Sequence, residues 1–287
     1  MPTTAQTLPC YGKINLFLEV QDRRSDGYHN LGSLFHTITA CDQLHAETWD
    51  SLELICPPGI TTSPDQNLVM KAAHLLQKTY ADRLPPKSGM RFTLEKNLPS
   101  GAGLGGGSSN AAAALNLCND IWQLGLKLNE LIPLASQLGA DVPFFLYGGS
   151  FFAEGKGEIL DPAPDPYPFH IVIGTPQCRV ETGWAYGQLE PNLKKEWTRF
   201  KALYFTYFED WKFYQVLRNS FDAPMRKHFA PIQELHTAME IFAPVKTLLC
   251  GSGASVFSLF RDKRDAERCL EAIKPVCRFA CLTEFTI

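Results

Sequence analysis

The chain has 287 residues, 45% of them hydrophobic and 20% charged, with a formal net charge of −3; this is the composition of an ordinary soluble protein with room for one large or two modest domains. The slightly acidic balance gives no support to nucleic-acid binding, and no stretch approaches membrane-spanning length. Nine scattered cysteines without a C-x-x-C, and seven histidines without ligand spacing, predict reduced thiols and no metal site. The absence of a basic-then-apolar leader predicts an unprocessed, cytoplasmic chain.

Residues 13–20, KINLFLEV, alternate as a strand, with Ile14, Leu16 and Leu18 on one face and Lys13, Asn15, Phe17 and Glu19 on the other. Lys13 and Asn15 therefore project side by side, either as solvated edge polarity or as a working pair. A turn at Asp26-Gly27 is followed by Tyr28-His29, which either cap a core edge or flank a planar ligand. Further strands are expected at 34–40 and 44–55, an amphipathic helix from Asn67 to about Tyr80, and another strand over 91–95.

Residues 98–114, LPSGAGLGGGSSNAAAA, are the strongest signal in the chain. Five glycines occupy residues 101–107, and four alanines follow Ser108, Ser109 and Asn110. Backbone without Cβ atoms takes positive φ and brings amides close to a ligand, while Ser and Asn favour a helix start and Ala its continuation. Strand, glycine loop and helix N-terminus together read as a phosphate cradle; the alternative is a loop that holds nothing. No Gly-Lys-Ser/Thr closes it as in a Walker A loop. The G-x-G-x-x-G at Gly101, Gly103 and Gly106 lacks the apolar strand and the acidic partner of a dinucleotide site.

A helix is expected to follow at 128–138, and then Gly139-Ala-Asp-Val-Pro-Phe-Phe, in which Asp141 is either a structural N-cap or a carboxylate at the rim of the phosphate site. A Pro/Asp-rich stretch at 161–168 is the expected domain boundary. Beyond it come a strand at 169–174, a loop holding Thr182 and Tyr186, and an aromatic-rich tract at 197–214 with a packed helical core as its default explanation. Helices are expected near 211–219 and 231–242. A Gly251-Ser-Gly-Ala-Ser255 turn then lies between two strands, before an amphipathic helix at 265–273 and a last strand at 276–282.

In order, Lys13-Ile-Asn-Leu-Phe-Leu, Gly27-Tyr-His, the glycine loop with its Ser-Ser-Asn-Ala-Ala, Gly139-Ala-Asp-Val-Pro-Phe-Phe and Gly251-Ser-Gly-Ala-Ser resemble the GHMP kinase superfamily over nearly the whole chain. The triple glycine and the early Gly-Tyr-His resemble the branch that acts on a cytidine-diphosphate-linked methylerythritol in the non-mevalonate isoprenoid pathway. The resemblance implies an α+β, two-domain GHMP kinase fold. Its N-terminal ribosomal-S5-like domain would span 1–160 and its ferredoxin-like C-terminal domain 161–287, with the active site in the cleft between them.

It implies ATP as phosphoryl donor, with Mg²⁺, and transfer to the 2-hydroxyl of the methylerythritol unit. Asp141 would be the general base, and Lys13 would orient the hydroxyl and stabilise its developing charge. The ATP phosphates would lie on Pro99, Ser100, Gly101, Ala102, Gly103, Leu104, Gly105, Gly106, Gly107, Ser108, Ser109 and Asn110, with Asn67 and Lys96 at the adenine end. Asn15, Tyr28, His29, Asp141, Thr182 and Tyr186 would bind the acceptor, the two tyrosines sandwiching the cytosine and His29 reading its edge. The expected assembly is a monomer or weak homodimer. Another small-molecule GHMP kinase, or a catalytically silent nucleotide-binding protein of this fold, is the alternative. Two departures stand out. Tyr11-Gly12 precedes the lysine where Pro-Ala is common, and Asn219-Ser220 stands where an Asn-Asp pair is common, which weakens any role for that spot.

Overall fold

The computed structural model describes residues 5–60, 63–86, 88–189 and 196–286. Two long strands open the chain, β1 (Ala5–Arg23) and β2 (His29–Trp49), which pair with each other and are followed by β3 (Leu52–Ile55). Helix α1 (Leu68–Thr79), strand β4 (Gly89–Glu95) and helices α2 (Gly106–Ile121), α3 (Leu128–Leu138) and α4 (Val142–Tyr147) come next. Strands β5 (Ser150–Glu154), β6 (Ile159–Pro162) and β7 (His170–Pro176) lead into α5 (Thr182–Gly187), α6 (Trp197–Tyr207), α7 (Asp222–His228) and α8 (Ala230–Glu240). The chain ends with β8 (Lys246–Leu249), β9 (Val256–Phe260), α9 (Lys263–Ile273) and β10 (Cys277–Thr283).

These elements form two compact units that are not consecutive in sequence. The first takes the chain up to Gly12, Cys41–Ser100 and Gly105–Tyr147; the second takes Lys13–Ala40, Gly101–Leu104 and the chain from Gly148 on. In the first unit, β4 runs antiparallel to the distal half of β2, Gln43 opposite Glu95 and Trp49 opposite Gly89, and parallel to β3. Its core joins Leu44, Ala46, Met90 and Phe92 of the strands to Val69, Ala72, Ala73 and Leu76 of α1 and to α2. Ala111, Ala112, Ala113 and Ala114 are all buried, so α2 is enclosed on every side, and its small side chains let its neighbours approach closely.

In the second unit, the proximal half of β2 pairs with β5, Ser33 opposite Ala153 through His36 opposite Ser150, and β5 pairs with β6. A separate antiparallel sheet has the order β10-β7-β9-β8. Central β7 is buried from Ile171 to Pro176, as a strand covered on both faces must be. On α9 the buried stripe is Ala266, Cys269 and Ile273.

Much of the aromatic tract is core packing, while Phe205 and Tyr207 are exposed. Trp197, Phe200 and Tyr204 of α6 are buried, with Phe200 stacked on Phe17 at 4.0 Å between centroids. The indole of Trp197 donates to Glu154 Oε1 at 2.8 Å. It lies so close to β2 that a Cβ on Gly32 would stand 2.8 Å from its Cδ1, so glycine is required there.

Several boundaries differ from the sequence-based expectation. The stretches at 34–40 and 44–55 belong to one continuous β2 with a separate β3, and α2 begins at Gly106, not after Ser108-Ser109-Asn110. The segment expected to be helical at 211–219 is a 3-10 turn, Trp211–Val216, and α7 was not foreseen. All nine cysteines are free thiols. Burial pushes the Cys10 thiol up to about 12, with the Asn110 side chain opposing, and pushes Cys269 up to about 12 as well. No described helix is long and apolar enough to cross a membrane.

Candidate active site

Alternation on β1 carries Lys13 and Asn15 to the same face, and that face is closed: the two residues are 5% and 2% exposed. Solvated edge polarity is thereby ruled out. Lys13 Nζ donates to Asn15 Oδ1 at 2.8 Å and lies 4.8 Å from the centroid of the Phe35 ring. Asn15 Nδ2 donates in turn to Ser33 Oγ at 2.9 Å, and Ser33 Oγ donates to the carbonyl of Phe17 at 2.6 Å. A buried ammonium is tolerable only where its donors are met, and the relay fixes the amide orientation of Asn15 so that its oxygen faces the lysine.

The same strand grips the glycine loop. The amide of Lys13 donates to Leu104 O at 2.9 Å, and on the other side the amide of Ser255 donates to Ala102 O at 3.2 Å. Gly101–Leu104 is thus strapped to β1 and to the turn at 251–255. Gly103 has a φ of +85°, and a Cβ there would overlap the Cys250 carbonyl oxygen and stand 2.8 Å from its carbonyl carbon. No other residue meets both demands.

The turn is itself anchored by Asn219. Its Nδ2 donates to Leu249 O at 2.8 Å and to Gly251 O at 2.7 Å, while its Oδ1 accepts from the amide of Phe221 at 2.9 Å. Asn219 therefore has a structural part in holding the turn, with Ser220 following it. Ser255 Oγ pairs with Thr175 Oγ1 at 2.8 Å, and Ser252 Oγ with Thr182 Oγ1 at 3.1 Å. Thr182, exposed at the first turn of α5, is in this way connected to the turn.

In the first unit, α2 starts differently from three other helices of the chain. Asn67, Glu181 and Asp262 cap α1, α5 and α9 with their side chains, but the N-cap of α2 is Gly105 at a φ of +70°, and it accepts no side-chain cap among the described residues. The first intrahelical bond runs from Ser109 N to Gly105 O at 3.0 Å, so the amides of Gly106, Gly107 and Ser108 precede it. Bare amides at a helix N-terminus are donors for an anion; a Ser or Asn cap would have used them. Pro99 is half-buried and Ser100 exposed at the loop's entrance.

Asn67 is half-buried, and its Oδ1 accepts from Val69 N at 3.0 Å. Lys96 Nζ donates to Asp42 Oδ2 at 2.5 Å and to Leu98 O at 2.9 Å, and Asn110 Nδ2 reaches the same Asp42 oxygen at 3.0 Å. Asp141 is half-buried immediately before α4, whose first turn contains Pro143.

Of the expected aromatic acceptor residues in the second unit, His29 and Tyr186 lie together, whereas Tyr28 stands beside Lys156. Tyr28 is 61% exposed, and Lys156 Nζ lies 4.8 Å from its ring centroid, a cation over a π-face. The Asp26 carboxylate orders the turn by accepting from Tyr28 N at 3.1 Å and from Arg24 Nε. His29 is stacked on Tyr186 with centroids 5.1 Å apart and planes 17° apart, and Tyr186 meets Phe221 edge-on at 4.9 Å. The residues expected to read the edge and the face of one ring thus lie against each other. Sequence reasoning missed Asp42, Ser33 and Lys156, none of which falls in a motif.

Residues 67–149 match the family described as GHMP kinases N terminal domain. A curated 4-diphosphocytidyl-2-C-methyl-D-erythritol kinase from Chloroherpeton thalassium is 35% identical over 94% of each chain, and one from Haemophilus ducreyi is 37% identical over 91% of this chain and 88% of its own. The chain belongs to the 4-diphosphocytidyl-2-C-methyl-D-erythritol kinase family. A crystal structure of 4-(cytidine 5'-diphospho)-2C-methyl-D-erythritol kinase, 31% identical, superimposes with a TM-score of 0.81 over 98% of this chain and 100% of its own. The fold is accordingly that of the two-domain GHMP kinases, as the motifs predicted.

Proposed function

We propose that this kinase transfers the γ-phosphoryl group of ATP to the 2-hydroxyl of 4-diphosphocytidyl-2-C-methyl-D-erythritol. As the hydroxyl oxygen bonds to the γ-phosphorus, the bond from that phosphorus to the β,γ-bridging oxygen breaks and ADP leaves. The hydroxyl proton passes to the Asp141 carboxylate. A carboxylate is a weak base for an alcohol, so the transfer follows the development of charge on phosphorus, and the Lys13 ammonium stabilises the oxygen while that happens. Mg²⁺ enters with ATP as part of the substrate. The loop from Pro99 to Asn110 takes the phosphates, Asn67 and Lys96 the adenine end, and Asn15 and Thr182 the sugar-alcohol end. Tyr28, His29 and Tyr186 take the cytosine, for which the stacked His29 must leave the face of Tyr186 or share it.

The observation that supports this most is the bond from Lys13 N to Leu104 O. The residue assigned to the acceptor oxygen and the loop assigned to the donor phosphates are one hydrogen bond apart, so neither can shift without the other. The test is ADP release with four alcohols offered separately: the cytidine-diphosphate-linked methylerythritol, mevalonate, homoserine and galactose. Turnover with the first alone, and phosphorus NMR placing the new phosphate on the tertiary carbon's oxygen, is the expected result. Turnover with another alcohol, or none with any, overturns the reading.

A further inference from the structure

We propose that Asp42 is a positioning residue for the phosphate loop, holding together the two ends of the glycine-rich segment. Asp42 lies on β2 and is fully buried. Its Oδ1 accepts the backbone amides of Asn97 and Leu98 at 2.8 and 2.7 Å, and its Oδ2 accepts Lys96 Nζ at 2.5 Å and Asn110 Nδ2 at 3.0 Å. Residues 96–98 are where the chain leaves β4 for the loop, and Asn110 is where it has returned as α2. One carboxylate therefore binds both ends.

The chemistry suits nothing but a carboxylate. Two amides, an ammonium and a carboxamide N–H₂ are all donors, and only an acceptor with lone pairs on both oxygens satisfies them without burying an unmet group. Such a charge is costly to bury unless it is paired and fully hydrogen-bonded, and here it is both. The first residue of α2 rests on this cluster: a Cβ on Gly106 would stand 3.0 Å from Lys96 Nζ and 3.4 Å from Asp42 Oδ2. Asp42 thus fixes the direction in which the amides of Gly106, Gly107 and Ser108 point. It also accepts one donor of Lys96, and Leu98 O at the loop's entrance accepts another.

The competing account has the opposite sign. If Lys96 served ATP chiefly by its charge, Asp42 would be its competitor, and removing the carboxylate's charge would tighten nucleotide binding. If Asp42 positions the loop, removing it loosens binding. Asp42→Asn keeps the shape and discards the charge, and its amide nitrogen would face the Lys96 and Asn110 donors.

The inference rests on the loop being the ATP phosphate site, so wild-type ADP affinity is measured first by calorimetry; no affinity there defeats that reading and not this one alone. Given wild-type binding, Asp42→Asn should weaken ADP tenfold or more and raise the KM for ATP by a similar factor, with the KM for the alcohol within twofold. A merely structural role would lower the melting temperature and the active fraction while leaving both KM values in place. Unchanged or tighter ADP binding in the folded variant overturns the proposal. If Asp42→Asn does not fold, Asp42→Ser, which keeps one hydroxyl acceptor, carries the same comparison.

Discussion

The requirement for glycine at 103 can be separated from the general tolerance of glycine in loops. Gly103 and Gly101 both have positive φ, +85° and +62°, but a Cβ on Gly101 meets nothing within 4 Å, whereas one on Gly103 would be driven into the Cys250 carbonyl, 2.8 Å from its carbon. Ordinary contact begins near 3.4 Å, so Gly103→Ala displaces the loop or the turn by roughly half an ångström or more, backbone against backbone, with no rotamer to relieve it. Both substitutions carry left-handed strain of about 1–2 kcal/mol, which at about 2–4 °C per kcal/mol lowers the melting temperature by several degrees in each. Only Gly103→Ala also moves the loop, and displacement on the order of 1 Å at a phosphoryl-transfer site costs about a hundredfold in rate. Steady-state kinetics should therefore show kcat/KM for ATP falling about 10–100-fold in Gly103→Ala and within about threefold of wild type in Gly101→Ala. Gly107, helical and with only Leu68 Cδ1 at 3.8 Å from its Cβ position, is the control: Gly107→Ala should raise the melting temperature, because Ala gains about 1 kcal/mol over Gly in a helix. Equal kinetics for the first two variants would refute the close-approach argument.

Asp141→Asn should lower kcat by about 10²–10⁴-fold, the usual worth of a general base, with the ATP dissociation constant unchanged; wild-type turnover would remove Asp141 from that role. Tyr28→Ala should raise the KM for the cytidine-linked substrate about tenfold, corresponding to ~1–3 kcal/mol of stacking, and leave the KM for ATP alone; an unchanged substrate KM takes Tyr28 out of the clamp. Stability should fall below pH 6.5, because fully buried His36 is held below its ordinary value of 6.5 by burial, with the hydrogen bond to Thr37 O, 2.6 Å from Nδ1, and Asp165 opposing. Between 6.5 and the lower folded value the unfolded chain binds the proton and the folded one does not, so stability falls there by at most about 1.4 kcal/mol per pH unit and levels off below the folded value. Urea midpoints at several pH values should show this slope reduced in His36→Gln; the same slope in both proteins would count against it.

The elements most legible in the sequence were those with one wet face and one dry face. The stripes of α1 and α9 and the alternation of β4 were readable because solvent enforces a period. The middle of β1 is buried at every position from Gly12 to Val20, yet it kept a readable period because Lys13, Asn15 and Glu19 share one face and Ile14, Leu16 and Leu18 the other; the part the sequence missed is its more exposed beginning, which contains Pro9. The start of α2 was misplaced for a different reason. Ser and Asn are good caps, and propensity alone sets the helix boundary at them. The chain instead starts the helix at Gly106 behind the glycine N-cap Gly105, with no side-chain cap among the described residues, which is unfavourable for an isolated helix and useful for one that meets an anion.

Asp42 combines both lessons. The expected strands stop at 40 and resume at 44, and Asp42, of a residue type depleted in strands, stands in the gap between them. The same aspartate, drawn into the interior of an unbroken β2, is satisfied by four donors that lie 54 to 68 residues further along the chain. Local preference argued against a strand there, and only long-range bonds could overrule it. A residue that contradicts its local structure is expected where tertiary structure or function supplies the compensation. Lys13 and Asn15 were legible because they sit in a motif of known chemistry, and the Asp42 carboxylate was not, because two of its partners are backbone amides, which leave no trace in sequence, and the other two, Lys96 and Asn110, lie 54 and 68 residues away. Local misfits beside a recognised motif are therefore the positions at which residues that position a site can be sought.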